Sequence, residues 1–184
     1  MLKKVVFLDR DGVINQDSPD YIKSWAEFKF LPGSIAALKK LTVGGFTAII
    51  ITNQSAINRR MISKATLDDI HVRMKDAVVA GGGLIKDIFF CPHRPDEGCL
   101  CRKPKPGMIL AAQKKHRIEL DSAYMIGDSA KDIECAHRAG CGHSILVKTG
   151  NGTRAERTLA EKKNYPGHVA ADLLAAVNWI TARS

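Results

Sequence analysis

The chain has 184 residues, 45% of them hydrophobic and 26% charged, with a formal net charge of +9 and five cysteines. This size and balance are those of one soluble globular domain with a full-sized core, covering residues 1–184. No uninterrupted apolar run approaches the ~20 residues of a membrane span. Met1-Leu2-Lys3-Lys4 leads straight into an apolar stretch without the features of a signal peptide, so a cytoplasmic, non-membrane protein is expected.

The positive charge admits a nucleic-acid partner, an anionic small substrate or plain solubility. Its cations are scattered, apart from Arg102-Lys103-Pro104-Lys105 and Lys162-Lys163. Scatter puts solubility first and an anionic small molecule second, with no nucleic acid expected and a monomer assumed. Three of the cysteines, Cys91, Cys99 and Cys101, fall within eleven residues. In a cytosolic chain such clustering points to metal rather than disulfides.

Lys3 to Leu8 is rich in β-branched and aromatic residues and predicts a buried strand. Asp9 and Asp11 follow, then Gly12. Residues i and i+2 of an extended chain share a side, so both carboxylates leave the strand's carboxyl end together. A Mg²⁺ between them would relieve their repulsion. Gln16 to Phe30 is polar, broken by Pro19, and carries Tyr21, Trp25, Phe28 and Phe30. It reads as a loop folding over the mouth of a site, too short for a cap domain.

Ser34 is the expected N-cap of a helix bearing Ile35, Leu38 and Leu41 and ended by Gly44-Gly45. Phe46 to Ile51 is the second strand, followed by Thr52-Asn53. Ser63 caps a helix with Leu67, Ile70, Met74 and Val78 on one face. Ile85 to Phe90 is a third strand, and Pro106 opens the next helix. Ser122 to Ile126 is a fourth strand that runs into Gly127-Asp128. Ser129 caps the helix after it, Gly140 stops that helix, Ser144 to Val147 is a fifth strand, and Leu173 to Ile180 a closing helix. Alternating strands and helices imply an α/β fold, a Rossmann-like parallel sheet with helices on both faces.

Parallel strands bring their carboxyl ends to one edge, so Asp9, Asp11, Thr52, Asn53 and Asp128 should converge there. Lys103, before the helix that Pro106 opens, would join them. Carboxylates for a metal, a hydroxyl, an amide and a lysine make a phosphoryl-transfer set. Separately, Cys91-Pro92-His93 and Cys99-Leu100-Cys101 offer three thiolates and an imidazole. That donor set suits a closed, structural, tetrahedral Zn²⁺ site in an inserted loop at about 91–101. Cys135 and Cys141 read as small core residues.

This ordered arrangement resembles the haloacid dehalogenase superfamily of phosphohydrolases, in its form with a minimal cap. The resemblance implies that Asp9 is the nucleophile, forming an aspartyl-phosphate, and that Asp11 is the general acid and base. It implies that Thr52 and Lys103 bind phosphoryl oxygens, and that Mg²⁺ sits on Asp9, the Asp11 backbone carbonyl and Asp128. Asp11 must carry a proton when the ester breaks, which calls for a raised pKa. Asp132 is a candidate partner of Lys103 or of a metal-bound water.

Three stretches narrow the resemblance: Asp9 to Asn15, Thr52 to Ser55 with Arg59, and Cys101 to Met108. They are similar to the branch that removes the 7-phosphate of D-glycero-D-manno-heptose 1,7-bisphosphate, a step toward activated heptose for bacterial surface polysaccharide. The resemblance implies that Asp17 to Tyr21, Asn53, Arg59 and Arg102 contact the sugar or its second phosphate. The chain departs from that branch at Ala56 and Arg60, where glycine is common. Histidinol phosphate and polynucleotide 3′-phosphate are the rival substrates, and a zinc-containing nucleic-acid-binding module the rival from another class.

Overall fold

A computed structural model describes residues 1–183. Six parallel strands form one sheet: β1 (Val5–Leu8), β2 (Thr47–Asn53), β3 (Ile85–Cys91), β4 (Tyr124–Gly127), β5 (His143–Val147) and β6 (His168–Ala170). Their spatial order is β3-β2-β1-β4-β5-β6. The connecting helices are α1 (Ser34–Val43), α2 (Lys64–Ala80), α3 (Gly107–His116), α4 (Ala130–Ala139), α5 (Gly152–Glu161) and α6 (Leu173–Thr181). The order reverses direction between β1 and β4, and a crevice opens beyond the strand ends at such a point.

Period two explains the continuous apolar runs. In β1, Val6 and Leu8 enter the core on one face with Leu38, Leu41, Ile70 and Val177. Val5 and Phe7 enter the core on the other with Met108, Ile109, Cys135 and Ala136. A strand covered on both faces has no polar side to show. A third small cluster joins Ile133, Leu146, Ala155 and Leu159 beneath α4 and α5. Cys135 and Cys141 are core residues, as the sequence implied.

Three local readings change. Gly33, at φ 79°, is the N-cap of α1, and Ser34 is its first residue; the Ser34 hydroxyl donates to the Leu31 carbonyl instead of capping. Thr52 and Asn53 are the last residues of β2 rather than following it. β6 and α5 were not expected: β6 has only three residues, and α5 buries little besides Ala155 and Leu159. The caps at Ser63 and Gly140 stand where they were expected. Among the described residues, no helix is long and apolar enough to cross a membrane.

Ile50 lies in β2 between β1 and β3 and is fully buried. Ile50→Ala should lower the unfolding free energy by about 2–5 kcal/mol, read from urea denaturation.

Candidate active site

The strand ends deliver their polar residues to a cavity of about 570 Å³. Asp9, Asp11, Asp17, Tyr21, Asn53, Arg102, Lys103 and Asp128 all line it. At its floor the Lys103 ammonium is 2.8 Å from Asp9 Oδ1, 2.7 Å from Asp132 Oδ1, and donates to the Ile51 carbonyl at 2.8 Å. Three acceptors match the three protons of an ammonium. Lys103 is 3% exposed, and although burial works against its charge, Asp132 and Asp9 raise its pKa, so it stays protonated. Asp132 is the partner of Lys103 that the sequence offers, and its second oxygen accepts from the Ser129 backbone and hydroxyl, which ties Lys103 to the first turn of α4.

Asp9 and Asp11 follow β1 together, but their surroundings differ. Burial pushes the Asp9 pKa well up; Lys103 opposes this, while Asp132 and Asp128 add repulsion. Burial also raises Asp128, to about 7, with Asp132 contributing. For Asp11, burial is outweighed by the Arg10 guanidinium and by hydrogen bonds from Asn15 and Gln54, and its pKa is lowered. The raised value expected for an acid is therefore not what this conformation has. Arg10 Nη2 reaches Asp11 Oδ1 at 2.8 Å and Oδ2 at 3.0 Å, and Gln54 Nε2 donates to Oδ2 at 2.8 Å.

The other expected contacts divide. Thr52, expected at the cavity, is buried and does not line it; its hydroxyl accepts from Gln54. Asn53 clamps the Lys103 backbone, donating to its carbonyl at 3.2 Å and accepting from its amide at 3.1 Å. Arg102 donates to the His93 carbonyl at 3.0 Å. Asp17 accepts from Asn151, and the Tyr21 hydroxyl lies 3.4 Å from Ser55 Oγ. Arg59 is outside the cavity: it lies over the Tyr21 ring and lines a separate depression with Arg60 and Arg94. Arg60 has φ 59°, the left-handed region that glycine favours.

Sequence reasoning missed Arg10, Gln54 and Asn151. The Asn151 amide donates to Asp128 Oδ2 at 2.8 Å, from the loop after β5. The signal was there, since a polar Gly-rich loop follows β5 at the same sheet edge. Gly12 and Gly150 let two backbones close on Asp128; a Cβ at either would overlap its carboxylate.

Two groups fit metals. Ligand oxygens of Asp9, Asp128 and Asp132 lie within 4.8 Å of one another, a hard-oxygen set of the kind Mg²⁺ takes. Cys91 Sγ is 3.6 Å from Cys99 Sγ, 3.2 Å from Cys101 Sγ and 3.5 Å from His93 Nδ1. Tetrahedral zinc at ordinary bond lengths separates such donors by roughly 3.5–3.8 Å; Cys91, Cys99 and His93 meet that spacing, Cys101 sits a few tenths of an ångström closer, and the donor set is the one zinc takes.

Carboxylates and a buried lysine gathered at the switch point of a parallel sheet are the equipment of a phosphoryl-transfer enzyme of the α/β hydrolytic type. Residues 100–176 match the HAD-hydrolase-like family. The D-glycero-beta-D-manno-heptose-1,7-bisphosphate 7-phosphatase of Bordetella bronchiseptica is 43% identical over 174 residues, 95% of each chain. The enzyme of that name from Pseudomonas putida is 47% identical, over 85% of this chain and 87% of its own. The crystal structure of the B. bronchiseptica D,D-heptose 1,7-bisphosphate phosphatase, complexed with magnesium and phosphate, has a TM-score of 0.92 and 41% identity. It covers 98% of this chain and 99% of its own. The chain belongs to the D-glycero-D-manno-heptose-1,7-bisphosphate 7-phosphatase family of HAD-like hydrolases.

Behind Arg10 lies His71, Nε2 3.3 Å from Nη1. Burial, then the Arg10 charge, holds its pKa down to about 3. The unfolded chain takes up this proton near pH ~6.5 and the folded one does not, so stability present above that pH is lost as pH falls. Between pH 7.5 and 5.5, wild type should lose about 1.4 kcal/mol more unfolding free energy than His71→Gln, in paired urea titrations.

Proposed function

We propose that this chain is a phosphatase that hydrolyses the 7-phosphate of D-glycero-D-manno-heptose 1,7-bisphosphate, working as one monomeric domain in the cytoplasm. Its product would supply nucleotide-activated heptose for surface glycans. The observation that carries the reading is the Lys103 ammonium 2.8 Å from the Asp9 carboxylate, on the floor of a cavity that Asp11 and Asp128 also line. Family membership supports the substrate.

In this mechanism an Asp9 carboxylate oxygen attacks phosphorus, forming an aspartyl-phosphate and breaking the ester bond to the sugar oxygen. Asp11 gives its proton to that departing oxygen. Water then attacks the same phosphorus, passes a proton back to Asp11, and frees phosphate and Asp9. Bound at Asp9, Asp128 and the Asp11 backbone carbonyl, Mg²⁺ supplies counter-charge to the phosphoryl oxygens. Lys103 places a fixed cation beside the same oxygens, and Thr52 lies behind them. The Arg10 and Gln54 bonds to Asp11 keep it a carboxylate, which suits the step that takes water's proton. Donating a proton requires the Asp11 side chain to leave Arg10 for the substrate.

Cys91, His93, Cys99 and Cys101 would hold a structural Zn²⁺ in the 91–101 loop. Metal binding of this type contributes on the order of 10 kcal/mol to folding. Arg102 and Lys103 directly follow the last zinc ligand, so an ordered loop aims both at the cavity. Asp17, Tyr21, Asn53, Arg59 and Arg102 would form or support the sugar-binding side.

Wild-type protein should release phosphate from heptose 1,7-bisphosphate much faster than from histidinol phosphate or a 3′-phosphorylated oligonucleotide. Asp9→Asn should cut that release by about a thousandfold or more with an unchanged circular dichroism spectrum. Faster release from either rival would replace the substrate, and substantial turnover by Asp9→Asn would remove the nucleophile. Cys99→Ser should lower both the zinc content per chain, by elemental analysis, and the melting temperature. Unchanged values of both would remove the zinc site.

A further inference from the structure

The cavity has more cationic groups than the chemistry at Asp9 uses. Four basic side chains line it: Arg102, Lys103, Lys131 and Arg154. Lys103 is held by Asp9 and Asp132, and Arg102 by the His93 carbonyl. Lys131 and Arg154 are exposed, and among the described residues neither side chain meets a carboxylate, a carbonyl or an aromatic face. Asp11 is paired with Arg10 and Asp9 with Lys103, while Asp17 and Asp128 accept hydrogen bonds from the neutral Asn151, so no acid of the cavity forms an ion pair with Lys131 or Arg154. Two cations without an ion-pair partner on the wall of a substrate cavity are placed to meet an anion.

The wall between them has room. Ala130 precedes Lys131 on α4, and Ala155 follows Arg154 on α5; both alanines line the cavity and belong to one apolar cluster with Ile133 and Leu146. Small residues here leave the space that larger side chains would fill. Ser129 and Thr158 line the same wall, with their hydroxyls donating to Asp132 and to the Arg154 carbonyl. A group bearing several acceptor oxygens and two charges suits this arrangement, and the guanidinium fork of Arg154 matches phosphate geometry.

We propose that Lys131 and Arg154 bind the phosphate that the enzyme leaves in place, and so set its preference for a bisphosphate over a monophosphate. This rests on the heptose-bisphosphate reading above. It assigns the second phosphate to the α4–α5 wall and not to Arg59, which lies outside the cavity.

The test compares kcat/KM for heptose 1,7-bisphosphate and heptose 7-phosphate on the full chain. Loss of two charge-assisted contacts in Lys131→Ala/Arg154→Ala should lower the bisphosphate-to-monophosphate ratio by about tenfold, chiefly through the bisphosphate KM. The charge-conserving Lys131→Arg/Arg154→Lys should retain most of the wild-type ratio. Arg157→Ala removes a nearby charge on α5 that does not line this cavity, and should leave the ratio nearly unchanged. A fall of less than about fivefold in the double alanine variant would overturn the proposal, as would an equal fall in Arg157→Ala, which would mark a long-range field instead of contact. Wild type that hydrolyses the monophosphate but not the bisphosphate would instead overturn the substrate reading itself.

Discussion

The site is organised by one buried ammonium. Lys103 has left water almost completely, and an unpaired charge there would cost several kcal/mol. It is stable because Asp9, Asp132 and the Ile51 carbonyl surround it. Those three partners come from the end of β1, the first turn of α4 and the body of β2. The Asn53 side chain grips the Lys103 backbone on both sides of the residue, so the ammonium and its main chain are fixed to the same strand. Any shift of one element disturbs the pairing of all of them.

This pairing also sets apart the surroundings of the two first aspartates. Asp9 shares its space with Asp128, Asp132 and Lys103, where burial and like charge disfavour ionisation without a further cation. Asp11, two residues on, lines the same cavity but is gripped by Arg10, Asn15 and Gln54 and is held ionised. Neighbouring carboxyls whose environments push their pKa values apart are the usual basis for giving them different chemical roles. Here Arg10 makes the difference. It is among the largest fully buried side chains, and His71 behind it is kept neutral by burial and then by the guanidinium charge.

The 91–101 loop serves the same point from outside the sheet. Its first cysteine is the last residue of β3, and its last cysteine directly precedes Arg102-Lys103. Drawing those cysteines together therefore shortens the path between a strand end and Lys103. The loop after β5 acts similarly from the opposite side: the Thr149 hydroxyl donates to the Gly12 carbonyl at 2.6 Å, and Asn151 fixes Asp128.

Local pattern was enough to read five of the strands, four of the six helices and α3's opening at Pro106, because alternation, helical spacing and caps are short-range signals. It was also enough to bring Asp9, Asp11, Asn53, Lys103 and Asp128 into one cavity, because parallel strands share one carboxyl edge whatever else the fold does. It could not find β6 or α5, which gain stability only against neighbours already in place, nor the partners of long side chains. Arg10 turning inward to Asp11 and Arg59 turning away to Tyr21 are choices among rotamers that similar local sequence would permit, whereas Asp132 joins Lys103, one of the two partners the sequence allowed it. Only the packed structure, where each buried charge must find its counter-charge, decides between them.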